Sequence, residues 1–376
     1  MCDQYCLQVF ENRVIMAIGD GCNWGDEVRM AAYKASSAFV TYMSKLQKEI
    51  TNTRDAALLM LRAFNFCHNS IVEGANDEII YSIGTTTLLG GMVFELEEPS
   101  EAGEWAVVCI SLGDCKAYRW NATTKEISDV TAGNRINITD ARDPGGRLGP
   151  YVDGSAADLR NLSLYLTICK TGDYIIFSSD GVGDNFDPQH MGIEPSSLKD
   201  LTGVSNWNDL DTIKDSNLYA KAELAKQKFA FDYMNNLISA SGSLTALSVS
   251  QKLMEHCVNL TRSSRDFMEN NPDKKLPHDY KVYPGKMDHT TCCVVTLGPR
   301  MPAQNVKTLP NAQLWVECLS DDGERFWFNI STKESCWSDP FVDLGPCWKA
   351  YYTEDDQLYY HNSLTGESSW EPPILT

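Results

Sequence analysis

The stretch TGDYIIFSSDGVGD, Thr171 to Asp184, runs an apolar segment, Tyr174–Ser178, straight into a carboxylate, Asp180, followed by glycine. The arrangement recurs twice. In NRVIMAIGDG (Asn12 to Gly21) the apolar run leads to Asp20 and its following glycine, and in GKMDHTTCCVVTL (Gly285 to Leu297) Asp288 opens onto an apolar run. An ionised carboxylate at the end of a buried strand is costly alone, so three of them point to a shared positive partner. Oxygen-only ligation favours Mg²⁺ or Mn²⁺ over zinc, which prefers His and Cys. A single Asp-Gly after a strand is ordinarily a turn; the ordered set of three carries the inference.

Outward from these stretches, further apolar runs at Thr87–Phe94, Trp105–Ser111 and Leu162–Cys169 read as strands. Residues 27–48 and 54–72 carry helical spacing. Strands clustered with flanking helices predict an α+β architecture, a β-sandwich covered by helices. Between Asp180 and Asp288 lies a long excursion, about residues 186–285. Within it, 217–240 and 243–270 read as helices, and Val249, Leu253, Cys257 and Leu260 form one apolar stripe suited to packing on a sheet. Residues 189–216, rich in Gly, Asn and Asp, read as a surface loop.

At 376 residues the chain exceeds one average core, so two or three domains are expected. No window approaches a span of about 20 apolar residues, and Asp3, Glu11 and Arg13 interrupt any signal-peptide pattern at the start. The 13 cysteines are odd in number and form no CxxC pair. Cys109, Cys169, Cys292 and Cys293 lie inside apolar runs, so buried free thiols in a reducing cytosol or nucleus are expected. The net charge is −19, from 32 basic and 51 acidic residues. Such a surface repels nucleic acid and anionic membranes and favours basic partners.

Five segments, in order, give the first 298 residues a family resemblance. They are DGCNWG (Asp20 to Gly25), IGTTTLLGG (Ile83 to Gly91), LGDCKAYRW (Leu112 to Trp120), TGDYIIFSSDGVGD and GKMDHTTCCVV (Gly285 to Val295). This series resembles the type 2C, metal-dependent Ser/Thr protein phosphatases. The resemblance implies two packed antiparallel sheets with helices outside and a metal site at one end. It implies that Asp20 bridges two ions, that Asp180 and Asp288 serve one ion, and that the Gly21 carbonyl serves the other. Asp114 matches an aspartate linked to a third ion, and Asp3 the acidic end of an N-terminal pair. Two ions about 4 Å apart would activate a bridging water against a phosphoserine or phosphothreonine of a phosphoprotein substrate. There are departures. The family's phosphate-holding Arg has no counterpart ahead of Asp3, and Cys2 stands for the first acid of the pair. Cys22 replaces a His found in many members; Asp143, Asp173 and His289 read as turn, surface or incidental residues.

Beyond a Pro-bearing linker, residues 299–313, the sequence repeats with a period of 33. Trp315 to Pro340 aligns without gaps on Trp348 to Pro373, and each unit has two tryptophans 22 apart. The units, at 314–341 and 347–374, resemble a tandem pair of three-stranded WW domains. By that resemblance Phe326, Ser335 and Trp337, and likewise Tyr359, Ser368 and Trp370, line grooves for proline-rich ligands in the polyproline II conformation. The resemblances imply a phosphatase carried to proline-rich partners, or a phosphatase-like scaffold that has lost turnover.

Overall fold

The computed structural model describes residues 2–298, apart from 75–79, 102, 136–142, 153–154, 200, 202–203, 212–215 and 241–243, and six short strands beyond them. The chain divides into two compact units, Met1–Met301 and Pro302–Thr376. The first opens with strands β1 (Gln4–Val9) and β2 (Arg13–Gly19), then helices α1 (Asp26–Leu46) and α2 (Thr53–Val72). Strands β3 (Leu88–Ser100), β4 (Gly103–Leu112), β5 (Lys116–Asn121) and β6 (Glu126–Asp129) follow. Next come β7 (Arg147–Val152), β8 (Ala156–Asp158), β9 (Ser163–Cys169) and β10 (Tyr174–Ser178). A single turn, α3 (Asp180–Gly183), leads to α4 (Ser216–Ser239), α5 (Ala246–Leu260) and α6 (Arg262–Asn270), and β11 (Cys292–Thr296) closes the unit.

Two large antiparallel sheets result, in the orders β1-β2-β3-β4-β9 and β11-β10-β5-β6, with β7 and β8 paired apart from them. Side chains alternate across each strand, so every inner strand feeds two cores. In β2, Ile15 and Ala17 join Phe39, Met43, Met60 and Phe64 of α1 and α2. Met16 and Ile18 point the other way, to Val107, Cys109, Ile175 and Phe177 between the sheets. In β10, Tyr174 and Ile176 turn outward onto Met234, Val249, Leu253 and Cys257 of α4 and α5. The layers are therefore helices, sheet, sheet, helices, the sandwich expected from the sequence. Burial on both faces explains why these strands read as continuous apolar runs.

The excursion differs from its reading in two places. The segment 243–270 is not one helix. It breaks at Thr261, whose hydroxyl donates to the Cys257 carbonyl at 2.7 Å, where Gly285 crosses close by. Residues 189–216 are not all surface. Leu201, Val204, Trp207 and Leu210 are buried with Ala222 and Ala225 of α4 in a separate small core. The stripe Val249, Leu253 and Cys257 does pack on the second sheet. Asp173 is a turn residue as expected, but fully buried, where it pairs with Arg119 at 2.6 Å. Asp143 lies at the surface, 2.9 Å from Arg160. The ten cysteines of the first unit are free thiols, with Cys109 and Cys169 fully buried and Cys292 and Cys293 partly so.

In the second unit two three-stranded antiparallel sheets stand 33 residues apart: β12 (Trp315–Leu319), β13 (Arg325–Asn329) and β14 (Ser335–Cys336), then β15 (Trp348–Tyr352), β16 (Leu358–Asn362) and β17 (Ser368–Ser369). The register repeats too, with Cys318 opposite Phe326 and Tyr351 opposite Tyr359. Phe328 pairs with Ser335, and His361 with Ser368. Trp337, Trp370, Pro340, Pro373 and the linker lie outside the described residues.

Two substitutions test the packing. Phe177→Ala, between the sheets, is expected to cost about 3–5 kcal/mol in urea unfolding. Gly181→Ala is also expected to destabilise, because its Cβ would fall 1.9 Å from the His289 carbonyl oxygen.

Candidate active site

Asp20, Asp180 and Asp288 arrive at the same end of the sandwich on three different supports. Asp20 follows β2, and its backbone is fixed by the start of β3. The Thr87 N–H and the Thr86 hydroxyl donate to the Asp20 carbonyl, both at 2.9 Å, and the Asp20 N–H donates to Thr87 Oγ1 at 3.2 Å. This is the local work of the GTT segment. Gly21 pairs with Thr86 in an isolated bridge. Asp180 follows β10 and opens α3, where the Ser179 N–H donates to the Thr291 carbonyl at 3.0 Å. Thr291 returns a 3.0 Å bond to the Ser179 hydroxyl, locking β10 to the segment that carries Asp288. That segment passes so close to α3 that only glycine fits at position 181.

Asp3, just ahead of β1, and Asp114, in the β4–β5 turn, complete the set that the sequence singled out; both are buried. Burial raises the Asp20 carboxyl well above its ordinary range, and the charges of Asp180, Asp3 and Asp288 raise it further. Burial also raises Asp3, with the Ser179 and Thr291 side chains pulling it back, and it raises Asp288, with Asp180 adding to the rise and Lys286 opposing it. Burial and the Asp180 charge push Asp114 up to about 7, against the opposing pull of Arg135. Too many carboxylates share too little solvent.

Two cations that the sequence reading did not single out answer this charge, and both meet at Asp184. Lys286 Nζ lies 2.5 Å from Asp180 Oδ2, 2.8 Å from Asp184 Oδ2 and 3.1 Å from Asp288 Oδ2. Arg135 reaches Asp114 at 3.1 Å and also pairs with Asp184. Burial would raise the Asp184 carboxyl, but Arg135 and Lys286 outweigh it and hold Asp184 far below the usual range. A signal for Lys286 stood in the open, since it is the lysine of the GKMD segment. Arg135 sits in an unremarkable loop, with no sequence signal.

The site thus has two halves. Asp180 Oδ2, Asp184, Asp288 and Asp114 face fixed cations. On the other side, Asp180 Oδ1 and both Asp3 oxygens are buried without a hydrogen-bond partner. These lie within electrostatic reach of Asp20. Orphaned, buried carboxylate oxygens fit a hard cation, which needs oxygen donors and repays their desolvation. Among the described residues, no three carboxylate, imidazole or thiol groups stand ready-made in ligand geometry.

Cys22 is next to this end, where burial pushes its thiol up to about 11. His289 packs its ring on Trp24, centroids 4.7 Å apart. Beside the aspartates a cleft runs under α4, lined among others by Lys116, Arg135, Asp180, Asp184, Asp187, Glu223 and Lys226. Its Lys226 is held by Asp187 at 3.1 Å and lies over the Trp207 ring. The excursion therefore builds one wall of the site.

Residues 344–373 match the WW domain family. Over 193 residues, half of this chain, the sequence is 30% identical to a PP2C-like domain-containing protein of Drosophila melanogaster. The chain spans only about a quarter of that relative, since 26% of it is covered. Among solved structures, the photosystem II phosphatase PBCP is similar over 80% of this chain and 92% of its own, at 15% identity and a TM-score of 0.43. A bacterial serine phosphatase is similar over 80% and 93%, at 14% and 0.44. The catalytic domain of the serine/threonine phosphatase PstP, solved with two manganese ions, is similar over 60% and 86%, at 14% and 0.33. In sequence, then, half of the chain is similar to a PP2C-like domain-containing protein, and residues 344–373 match the WW domain family.

Proposed function

We propose that the first unit is a metal-dependent phosphatase of phosphoserine and phosphothreonine proteins, brought to proline-rich partners by the tail. The observation that carries this reading is the set of buried oxygens on Asp3 and Asp180, beside Asp20, that no hydrogen bond satisfies. Bound Mn²⁺ or Mg²⁺ would supply an activated water and polarise the phosphoryl oxygens, so no covalent intermediate on the chain is needed. Asp20, Asp3 and Asp180 hold the cation in this reading, with the Gly21 carbonyl beside them. Asp288 and Asp114 lie in the half that carries Lys286 and Arg135, where the resemblance would place shared and third ions.

Charge in the cleft argues for cation dependence. Its lining carries Asp114, Asp129, Asp180, Asp184, Asp187 and Glu223 against Lys116, Arg135 and Lys226. A phosphate dianion meets net repulsion there until a divalent cation is bound. Arg135, paired with Asp114 and Asp184, and Lys116, paired with Asp129, line the same cleft. A second reading has its own support. An ammonium set between Asp180 and Asp288 favours a scaffold that keeps the fold and binds partners without turnover.

In a phosphate-release assay on phosphoserine peptides, activity is expected to require added Mn²⁺ or Mg²⁺ and to vanish in Asp20→Asn. It should persist in Cys22→Ser. Calorimetry on Asp20→Asn should show Mn²⁺ binding weakened about tenfold or more, at least ~1.4 kcal/mol. A folded chain that binds the ion but releases no phosphate under any of these conditions would establish the scaffold instead.

For the tail, we propose that both repeats are WW domains, since the first unit shares the sequence pattern and strand register of the second. Their first loops read SDDGE (Ser320 to Glu324) and TEDDQ (Thr353 to Gln357). Like charges would repel a phosphopeptide and attract Lys or Arg flanking the prolines. Phe326, Ser335 and Trp337, with Tyr359, Ser368 and Trp370, form the grooves in this reading. Ile330 and Ser363 stand where readers of proline-tyrosine motifs carry His. On a peptide array the tail is expected to select unphosphorylated proline-rich peptides with basic flanks, and to lose them as salt rises. Preference for phosphoserine-proline or PPxY peptides would refute this specificity.

A further inference from the structure

Lys286 has a side chain only 18% exposed and sets its ammonium among three carboxylates. An ammonium has three N–H donors, one for each of Asp180, Asp184 and Asp288. Its position is built rather than incidental. Asn185 Oδ1 accepts the Lys286 N–H at 2.9 Å, and Asn185 Nδ2 donates to the Lys286 carbonyl at 3.2 Å. One residue earlier, the Gly285 N–H donates to the His190 carbonyl at 2.7 Å. Gly285 adopts φ +88°, a conformation that disfavours other residues and fixes the direction in which the chain enters Lys286. Both sides of the lysine backbone are therefore pinned before its side chain reaches the carboxylates.

We propose that Lys286 is a tethered cation that takes the place of a divalent ion between Asp180 and Asp288, leaving the Asp3–Asp20 side as the cation-binding half. The inference rests on the reading of this end as a cation site, though not on its turning over substrate. Charge and geometry both support it. Asp180 presents Oδ2 to the lysine and keeps Oδ1, with no hydrogen-bond partner, on the other side. A divalent ion entering among Asp180, Asp184 and Asp288 would have to displace the ammonium or sit against a like charge. Arg135 reinforces the exclusion, because it already spans Asp114 and Asp184.

The test counts Mn²⁺ ions bound to the full chain, by loss of the free-ion electron paramagnetic resonance signal and by calorimetry. The native chain is compared with Lys286→Met, which removes the charge and keeps most of the bulk. Lys286→Met is expected to bind one more ion per chain, or its last ion at least about tenfold tighter. Its melting temperature without metal should fall below the native value and recover more than the native one on adding Mn²⁺. Lys286→Gln, which keeps an N–H donor for the carboxylates, guards against a failure of Lys286→Met to fold and should shift in the same direction. If the native chain binds no ion and the variants bind one, Lys286 is still a tethered cation, but the Asp3–Asp20 side is overturned as a cation-binding half and metal-dependent turnover by the native chain fails. Equal numbers and affinities in native and variant chains would overturn the inference while leaving the metal reading intact. No binding by any of them would overturn both.

Discussion

The repulsion among buried carboxylates at one end of the sandwich is the constraint around which this unit is arranged. Asp3, Asp114, Asp180 and Asp184 are buried, and Asp20 and Asp288 are half-buried beside them. Unanswered, so much negative charge would drive the sheets apart or force protonation. Two features answer it: Lys286 and Arg135 as fixed positive charges, and partnerless oxygens able to take a mobile one. The rest of the fold holds these groups in register. Thr86 and Thr87 anchor Asp20, the Ser179–Thr291 exchange joins the two later aspartates, and glycine at 181 lets their backbones touch.

That arrangement depends on strands buried on both faces. Because β2, β4 and β10 alternate between two cores, a one-residue slip would exchange their sides and carry the terminal aspartate to the wrong face. Register and site are therefore specified by the same side chains. Ile15 and Ala17 face the helices, Met16 and Ile18 face the second sheet, and Asp20 can only emerge at the end between them.

Much of this was legible in the sequence, for definite reasons. Apolar runs ending in Asp marked the strand ends, and the spacing of α1 and α2 was clear because each shows one buried face. The short strands β1 and β5–β8 were not identified, since three to six residues of mixed polarity carry little periodicity. The break at Thr261 was hidden because the residue is a tolerable helix former whose role comes from a distant crossing, Gly285. Trp207 and Leu210 gave no warning that a polar loop would bury a small core. At the site, carboxylates announced themselves through their improbable position after strands. Their counterions did not, because a lysine or arginine in a loop is unexceptional until the fold shows what it faces.

Asn185 holds a position whose effect extends beyond the lysine it clamps. Its carbonyl accepts from His256 Nε2 at 2.8 Å, and its side chain also donates to the Gly181 carbonyl at 2.7 Å. One residue therefore ties helix α5, the turn that presents Asp180 and the backbone of Lys286 into a single rigid bracket. A displacement of α5 cannot be absorbed locally; it moves the ammonium and the carboxylate together or breaks the bracket. The outer helical layer, far from the cation-binding half in sequence, is mechanically geared to the charge balance at its centre.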